Sequence, residues 1–248
     1  ELTARVRGTI LTDPTCDADQ VKNIKSMCEK HNAALFKMTG IKVFVDGVVE
    51  GATAFLLEPY AHMPDTSGEP LCDLDDLKSL FAAADKEDLQ IHIHPIRDAA
   101  IPISLDALAH ARSSNGVSDA RHLITHLHIV DPVDIARMAD LDVIGAPQPF
   151  WFVKGDYFHN LEARYLGLER AENEYPMKSL KDAGVLLAGA SDYPVQVPSP
   201  PLLGIMLGVT RCEPGETNPN EILGPEERMT LKDMIECFTI NGARANFL

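Results

Sequence analysis

Lysine, histidine and aspartate mark the ends of short apolar runs in this 248-residue chain. Lys42 opens the run Lys42-Val43-Phe44-Val45-Asp46-Gly47. His92 and His94 alternate in Ile91-His92-Ile93-His94, so a strand there points both to one side. His122, His126 and His128 follow, and Asp192 closes Ala188-Gly189-Ala190-Ser191-Asp192. These residue types suit a hydrolytic metal site. Imidazole binds a borderline ion such as zinc, and a carboxylate can both ligate it and take a proton from water. Taken singly, each histidine is more often a hydrogen-bonded structural residue; their joint placement at successive strand ends argues for more. At about 3.3 Å per residue, His122 and His126 stand about 13 Å apart on one strand and cannot hold one ion together. The residue nearer the C-terminal end of a parallel strand faces the mouth, which favours His126 over His122 and His94 over His92. His128, just past its strand, is placed to meet substrate. His31, His62, His110 and His159 hold no such position and read as structural.

The elements that must carry these residues alternate. Strands are expected at Ala4–Leu11, Ile41–Asp46, Leu89–His94, His122–His126, Asp142–Ala146 and Val185–Ala188. Helical spacing of apolar residues marks Asp17–His31, Leu74–Asp88, Ser104–Arg112, Pro132–Leu141 and Pro176–Ala183. Asp17, Asp73 and Asp131 sit where N-caps belong, and Gly184 where a helix should end. Strand–helix alternation implies a parallel sheet with right-handed crossovers. A (β/α)8 barrel and an open doubly wound sheet share that pattern, but no glycine-rich phosphate loop follows a strand. About six strands are expected where a closed barrel has eight, so the fold class is α/β, an incomplete barrel in one domain over residues 1–248. Two long loops, Val48–Pro70 and Pro149–Tyr175, would rise from the face where barrels build ligand sites.

The motifs occur in an order that resembles amidohydrolase family 3, the branch of the amidohydrolase superfamily that includes N-substituted formamide deformylase-like enzymes. Lys42–Gly47 is similar to its Lys-x-x-x-Asp-Gly, and Gln90–Ala99 to its His-x-Ile-Gly-Asp-x-Ala segment. Arg121–His126 resembles Arg-His-x-Ile-Glu-His, Gln148-Pro149 its Gln-Pro, and Ala190–Val195 its Gly-Ser-Asp-x-Pro-Val. The resemblance implies a (β/α)8 metal-dependent hydrolase with one or two divalent ions, most simply zinc, acting on an amide or other non-peptide C–N bond. His94, His126, Lys42 and Asp192 would be metal ligands. Asp192 and Lys42 would serve catalysis, and His128, Gln148 and Trp151 would meet substrate. Lys42 is either carbamylated and bridging or an unmodified buried lysine beside a carboxylate. The pattern departs in three places: Thr125 stands where Glu is usual, Arg97 where Gly is usual, and no first-strand His-x-His pair is present. Arg97 would then put a long cation near the mouth. The β-sandwich of the family also lacks a counterpart in the sequence.

These departures leave a rival reading, a barrel relative that binds a small molecule or partner without turnover. Because the chain opens at Glu1, it is expected to be an excised piece, with weak metal binding, exposed sheet edges and a tendency to form homo-oligomers. A net charge of −15 speaks against nucleic acid, and no long apolar run suggests a membrane span. The partner expected is a small-molecule substrate. Five scattered cysteines without a Cys-x-x-Cys pair read as reduced thiols of a cytoplasmic protein.

Overall fold

The computed structural model describes residues 2–248 and arranges them around a parallel sheet. Its strands are β1 (Val6–Leu11), β2 (Phe36–Phe44), β3 (Gln90–His94), β4 (Leu123–Thr125) and β5 (Ile144–Ala146), paired in sequence order. Helices α1 (Gln20–Lys30), α2 (Leu74–Lys86), α3 (Ala100–Asn115) and α4 (Pro132–Asp140) connect them. The sheet is open and does not close into a barrel. Val185–Ala188, expected as a strand, contributes a single parallel bridge from Leu187 to Gly145. Gly189 donates its N–H to the Cys237 carbonyl, and Ala190 then donates to the Pro147 carbonyl, so the segment keeps running beside β5 with only the one bridge.

Pleating sorts the residues by face. Ile41, Val43 and Val45 of β2 and its extension, with Ile91 and Ile93 of β3, are fully buried against the helical layer. Lys42 lies beside His92 and Phe44 beside His94 in the β2–β3 register, so these four share the inner face. α2 buries Leu77, Leu80, Phe81 and Ala84, a spacing that puts all four on one stripe. Its start is fixed by Asp73, whose carboxylate accepts the Asp75 N–H at 2.8 Å. Asp131 caps α4 in the same way, accepting from Val133, and Pro132 takes the first helical position. Asp17 does not cap α1: it accepts the Asp19 N–H inside a preceding turn, and the helix begins at Gln20. α3 is longer than its expected Ser104–Arg112, because Pro102 sits in the first turn, where no N–H is needed.

Past β5 the chain forms short helices: α5 (Ala163–Leu166), α6 (Leu168–Glu172) and α7 (Met177–Asp182), then α8 (Pro201–Thr210), α9 (Leu231–Phe238) and α10 (Ile240–Ala245). A π-helical turn at Phe158–Glu162 precedes α5, so the loop read as irregular over 149–175 is a folded lid. α10 covers the inner face of the sheet's far end, packing Ala245 with Leu123, Ile144, Ala146 and Ala188. Among the described residues, no helix is long and apolar enough to cross a membrane.

The cysteine reading needs correction. Cys16 and Cys72 form a disulfide, bringing together residues 56 apart in sequence. Cys28, Cys212 and Cys237 are free, as read. The pair escapes detection in sequence because its two members belong to separate connections, one after β1 and one just before α2, which meet only once the first two strands pair.

Gly40 lies where β2 slips register against β1 and runs tightly against β3; a Cβ there would stand 1.8 Å from the Gln90 carbonyl oxygen. Backbone cannot yield as a side chain can. Gly40→Ala should therefore cost about 3 kcal/mol in denaturant unfolding, with no change in which residues line the site. A change within the range of a surface substitution would show that this strand contact is looser than described.

Candidate active site

The ends of β3 and β4 and the segments that follow them bring polar side chains to one cavity. Its volume is about 490 Å³, and its walls include His94, His126, His128, Trp151, Tyr175 and Asp192. A second cavity, about 580 Å³, opens at the opposite ends of the strands beside Asp85, Arg121, His122 and Arg244. Catalytic groups of parallel barrels gather at C-terminal strand ends, and the first cavity is the one placed there.

His94 ends β3 and His126 follows β4, and the two rings meet with Nδ1 of His94 and Nε2 of His126 2.8 Å apart. Their outer nitrogens are held in turn. His94 Nε2 donates to the Gly47 carbonyl at 3.1 Å. His126 Nδ1 lies 2.9 Å from Gln148 Oε1, while the Gln148 amide nitrogen donates to the Ala146 carbonyl. A carbonyl can only accept, so the protons of both imidazoles are committed outward. Burial, with the charge of Lys42, lowers His94 to a pKa of about 4, while the bond to the Gly47 carbonyl opposes the shift. His126 is pushed well below the usual histidine range, also chiefly by burial. Two neutral rings thus present facing lone pairs at 2.8 Å. That contact is repulsive unless a cation stands with it, and the outward partners are the kind that orient metal-ligating histidines. The donor set fits a borderline divalent ion.

Trp151 stacks on His126, with ring centroids 5.7 Å apart and planes 9° from parallel. Gln148, read as a substrate contact, is buried and spends its amide on His126 and Ala146, outside the cavity wall. Lys42 is half-buried on the inner face, and burial lowers its pKa to about 8 against the opposing charge of Asp192. Asp192 is raised by burial and partly held down by Lys42. His122 stands at the far end of β4, accepting the Ile91 N–H and sharing a 3.1 Å contact with Asp85. His92, one pleat below His94, has an Nε2 with no partner.

His126 and Asp192 both adopt left-handed backbone, at φ of +73° and +56°, and Leu127 follows His126 at +57°. Such conformations cost about 1–3 kcal/mol at non-glycine residues and collect where side chains must be aimed.

Several motif residues turn out to build the scaffold. Asp46 is fully buried and accepts the N–H groups of Phe55 and Ile96, tying the loop after β2 to the end of β3. Gly47 allows Thr53 to close that loop, since a Cβ would fall 2.1 Å from Thr53 Oγ1. Asp98 accepts from Leu57 in the same loop. Thr125 donates to the Ile93 carbonyl between strands. Arg97, expected near the mouth, is completely buried: it pairs with Glu174 and lies 3.7 Å from Glu162, both on the lid. Sequence reasoning missed both glutamates, which sit in a stretch without strand or long-helix pattern.

Comparison with known proteins gives the chain its relatives. The profile of the family described as "Amidohydrolase family" matches residues 1–248. Protein LONG AFTER FAR-RED 3 of Arabidopsis thaliana is 33% identical over 210 residues, 84% of this chain and 35% of its own. N-substituted formamide deformylase of Arthrobacter pascens is 29% identical over 69% of this chain and 30% of its own. A crystal structure of an uncharacterized metal-dependent hydrolase from Pyrococcus furiosus superimposes with a TM-score of 0.79 at 25% identity, covering 99% of this chain and 47% of that one. The chain spans about a third of the length of these curated relatives and just under half of that solved chain.

With a pKa of about 8, Lys42 should react with an amine-selective acylating reagent ahead of the exposed lysines in metal-free protein, its rate climbing through pH 8. Peptide mapping after brief labelling reads this out. Labelling of Lys42 only above pH 10 would contradict the described environment. The chain belongs to the Amidohydrolase family.

Proposed function

We propose that this chain contributes the His94–His126 part of a metal-dependent amidohydrolase site acting on an amide or other non-peptide C–N bond. The observation that carries the reading is the pair of facing imidazole lone pairs, each ring pinned by an outward acceptor. A divalent ion, zinc by the softness of this donor set, would supply Lewis-acid polarisation and lower the pKa of water. His94 and His126 would hold it, and Gln148 and the Gly47 carbonyl would keep their lone pairs turned inward.

The protein's own groups divide the remaining work. Asp192 lines the same cavity as both histidines, and the charge of Lys42 favours its carboxylate form. Asp192 then accepts a proton from the attacking water and delivers it to the departing nitrogen. Trp151, stacked on His126, closes one side of the space where the carbonyl carbon would lie and limits water access. His128 borders the same space and offers an unpartnered Nε2 for substrate. The rival role, binding without turnover, draws on Thr125 and Arg97, but both have scaffold tasks that leave the histidine pair intact.

Two measurements test the reading. Zinc titration of the chain followed by calorimetry should show binding that Gln148→Ala weakens about 10- to 100-fold, the usual cost of removing an orienting partner. In a protein that hydrolyses a formamide or related amide, Asp192→Asn should lower kcat by about 100-fold or more with KM little changed. Zinc affinity indifferent to His126→Ala, or amidase activity indifferent to Asp192→Asn, would remove the proposal.

A further inference from the structure

The lid places two carboxyls against one guanidinium. Arg97 bonds to Glu174, whose carboxyl burial would raise but which the guanidinium holds below its ordinary range. Glu162 is left as the surplus. It is 2% exposed, lies 3.7 Å from Arg97 and has an Oε1 without any hydrogen-bond partner. Burial, with Glu174 beside it, pushes Glu162 well above the usual carboxylate range. A buried carboxyl lacking its own cation is an unfavourable residue to keep unless something completes it.

Glu162 lines the cavity that holds His94 and His126. The same walls carry Glu50, Asp156 and Glu213, and among the described residues no lysine or arginine lines them. Aromatic faces fill the space between: Trp151, Tyr157, Phe158 and Tyr175. Carboxylates in excess of the cations that face them, set among aromatic rings, form the surroundings that recognise ammonium groups through ion pairing and cation–π attraction. An anionic ligand would meet repulsion from the carboxylates, and a neutral one would leave Glu162 without a partner.

We propose that the cavity takes a substrate whose non-reacting end is an organic cation, an ammonium on an aromatic or alkyl body, with its charge at Glu162 and its body against the aromatic lid. This rests on the amidohydrolase reading only for where the reacting bond lies; the cation subsite itself is a binding property. It narrows the substrate to a cationic amide and assigns the lid the task of selecting it.

The test uses three probes of one shape and different charge, phenethylammonium, 2-phenylethanol and phenylacetate, titrated calorimetrically into the full chain. None has a bond to hydrolyse, so the result does not depend on turnover, and failure of the hydrolase reading leaves it interpretable. Phenethylammonium should bind about tenfold or more tightly than the alcohol, with phenylacetate weakest. Glu162→Gln should erase most of that preference, and Glu162→Asp should keep part of it. Because Glu162 packs beside Arg97, Glu50→Gln at the exposed rim serves as a second variant and should cost about two- to threefold in cation affinity. Equal binding of cation and alcohol, tightest binding of phenylacetate, or a folded Glu162→Gln protein with full cation preference would each overturn the proposal.

Discussion

The contact on which the site's architecture depends is the buried ion pair between Arg97 and Glu174. Arg97 leaves the end of β3 three residues after His94, and Glu174 ends the lid, so one bond ties the strand that bears a site histidine to the segment that roofs it. Removing one partner would strand a charge among buried groups, a far larger penalty than the net worth of the pair itself. The neighbours of the pair share the constraint. His128 lies 3.6 Å from Glu174 and 3.3 Å from the Tyr175 hydroxyl, and Arg211 donates to the carbonyls of Glu174 and Tyr175 from behind. Lid, strand end and α8's far end are thereby joined through polar contacts in a protein whose core is mostly apolar.

A second layer of organisation comes from the carboxylates that bind backbone. Asp46 and Asp98 each accept N–H groups from the loop after β2, at Phe55 and Leu57. Burial raises Asp46 to a pKa of about 7 even though those N–H bonds oppose the shift. That loop contributes Val48, Val49 and Glu50 to the cavity wall, so residues in the Lys-x-x-x-Asp-Gly run shape the site at one remove. Chemistry and scaffolding are interleaved along the same short motifs.

Much of this is legible in the sequence. Period-two and period-3.6 patterns located the first five strands and four helices, because Ile41, Val43, Ile91 and Leu77 obey simple burial rules. The choice of His94 and His126 over their neighbours followed from which residue lies nearer the C-terminal end of its strand, and the structure brings those two together. What stayed hidden depends on contacts between distant segments. Glu162 and Glu174 lie in short helical turns with no strong period, and nothing local marks them as partners of Arg97. The Cys16–Cys72 bond is invisible for the same reason. Gln148 was noticed through a motif, but its role in holding His126 needs three dimensions. Val185–Ala188 has strand composition and does run beside β5, but it makes only one bridge there, from Leu187 to Gly145.

The left-handed backbone at His126 and Asp192 carries a consequence for how this site can vary. Positive φ is tolerated by glycine and, at modest cost, by Asn, Asp and His, while β-branched residues are nearly barred from it. The main chain at these two places thus restricts the side chains that inheritance can sample there, before any demand of chemistry is applied. Most of the residue types the backbone admits can bind a metal or carry a proton. A lineage that loses activity can drift at Thr125 or Gln148 with few conformational penalties, whereas His126 and Asp192 sit in narrow channels of accessible replacements. Their geometry makes the chemical vocabulary of the site partly a property of the fold's turns.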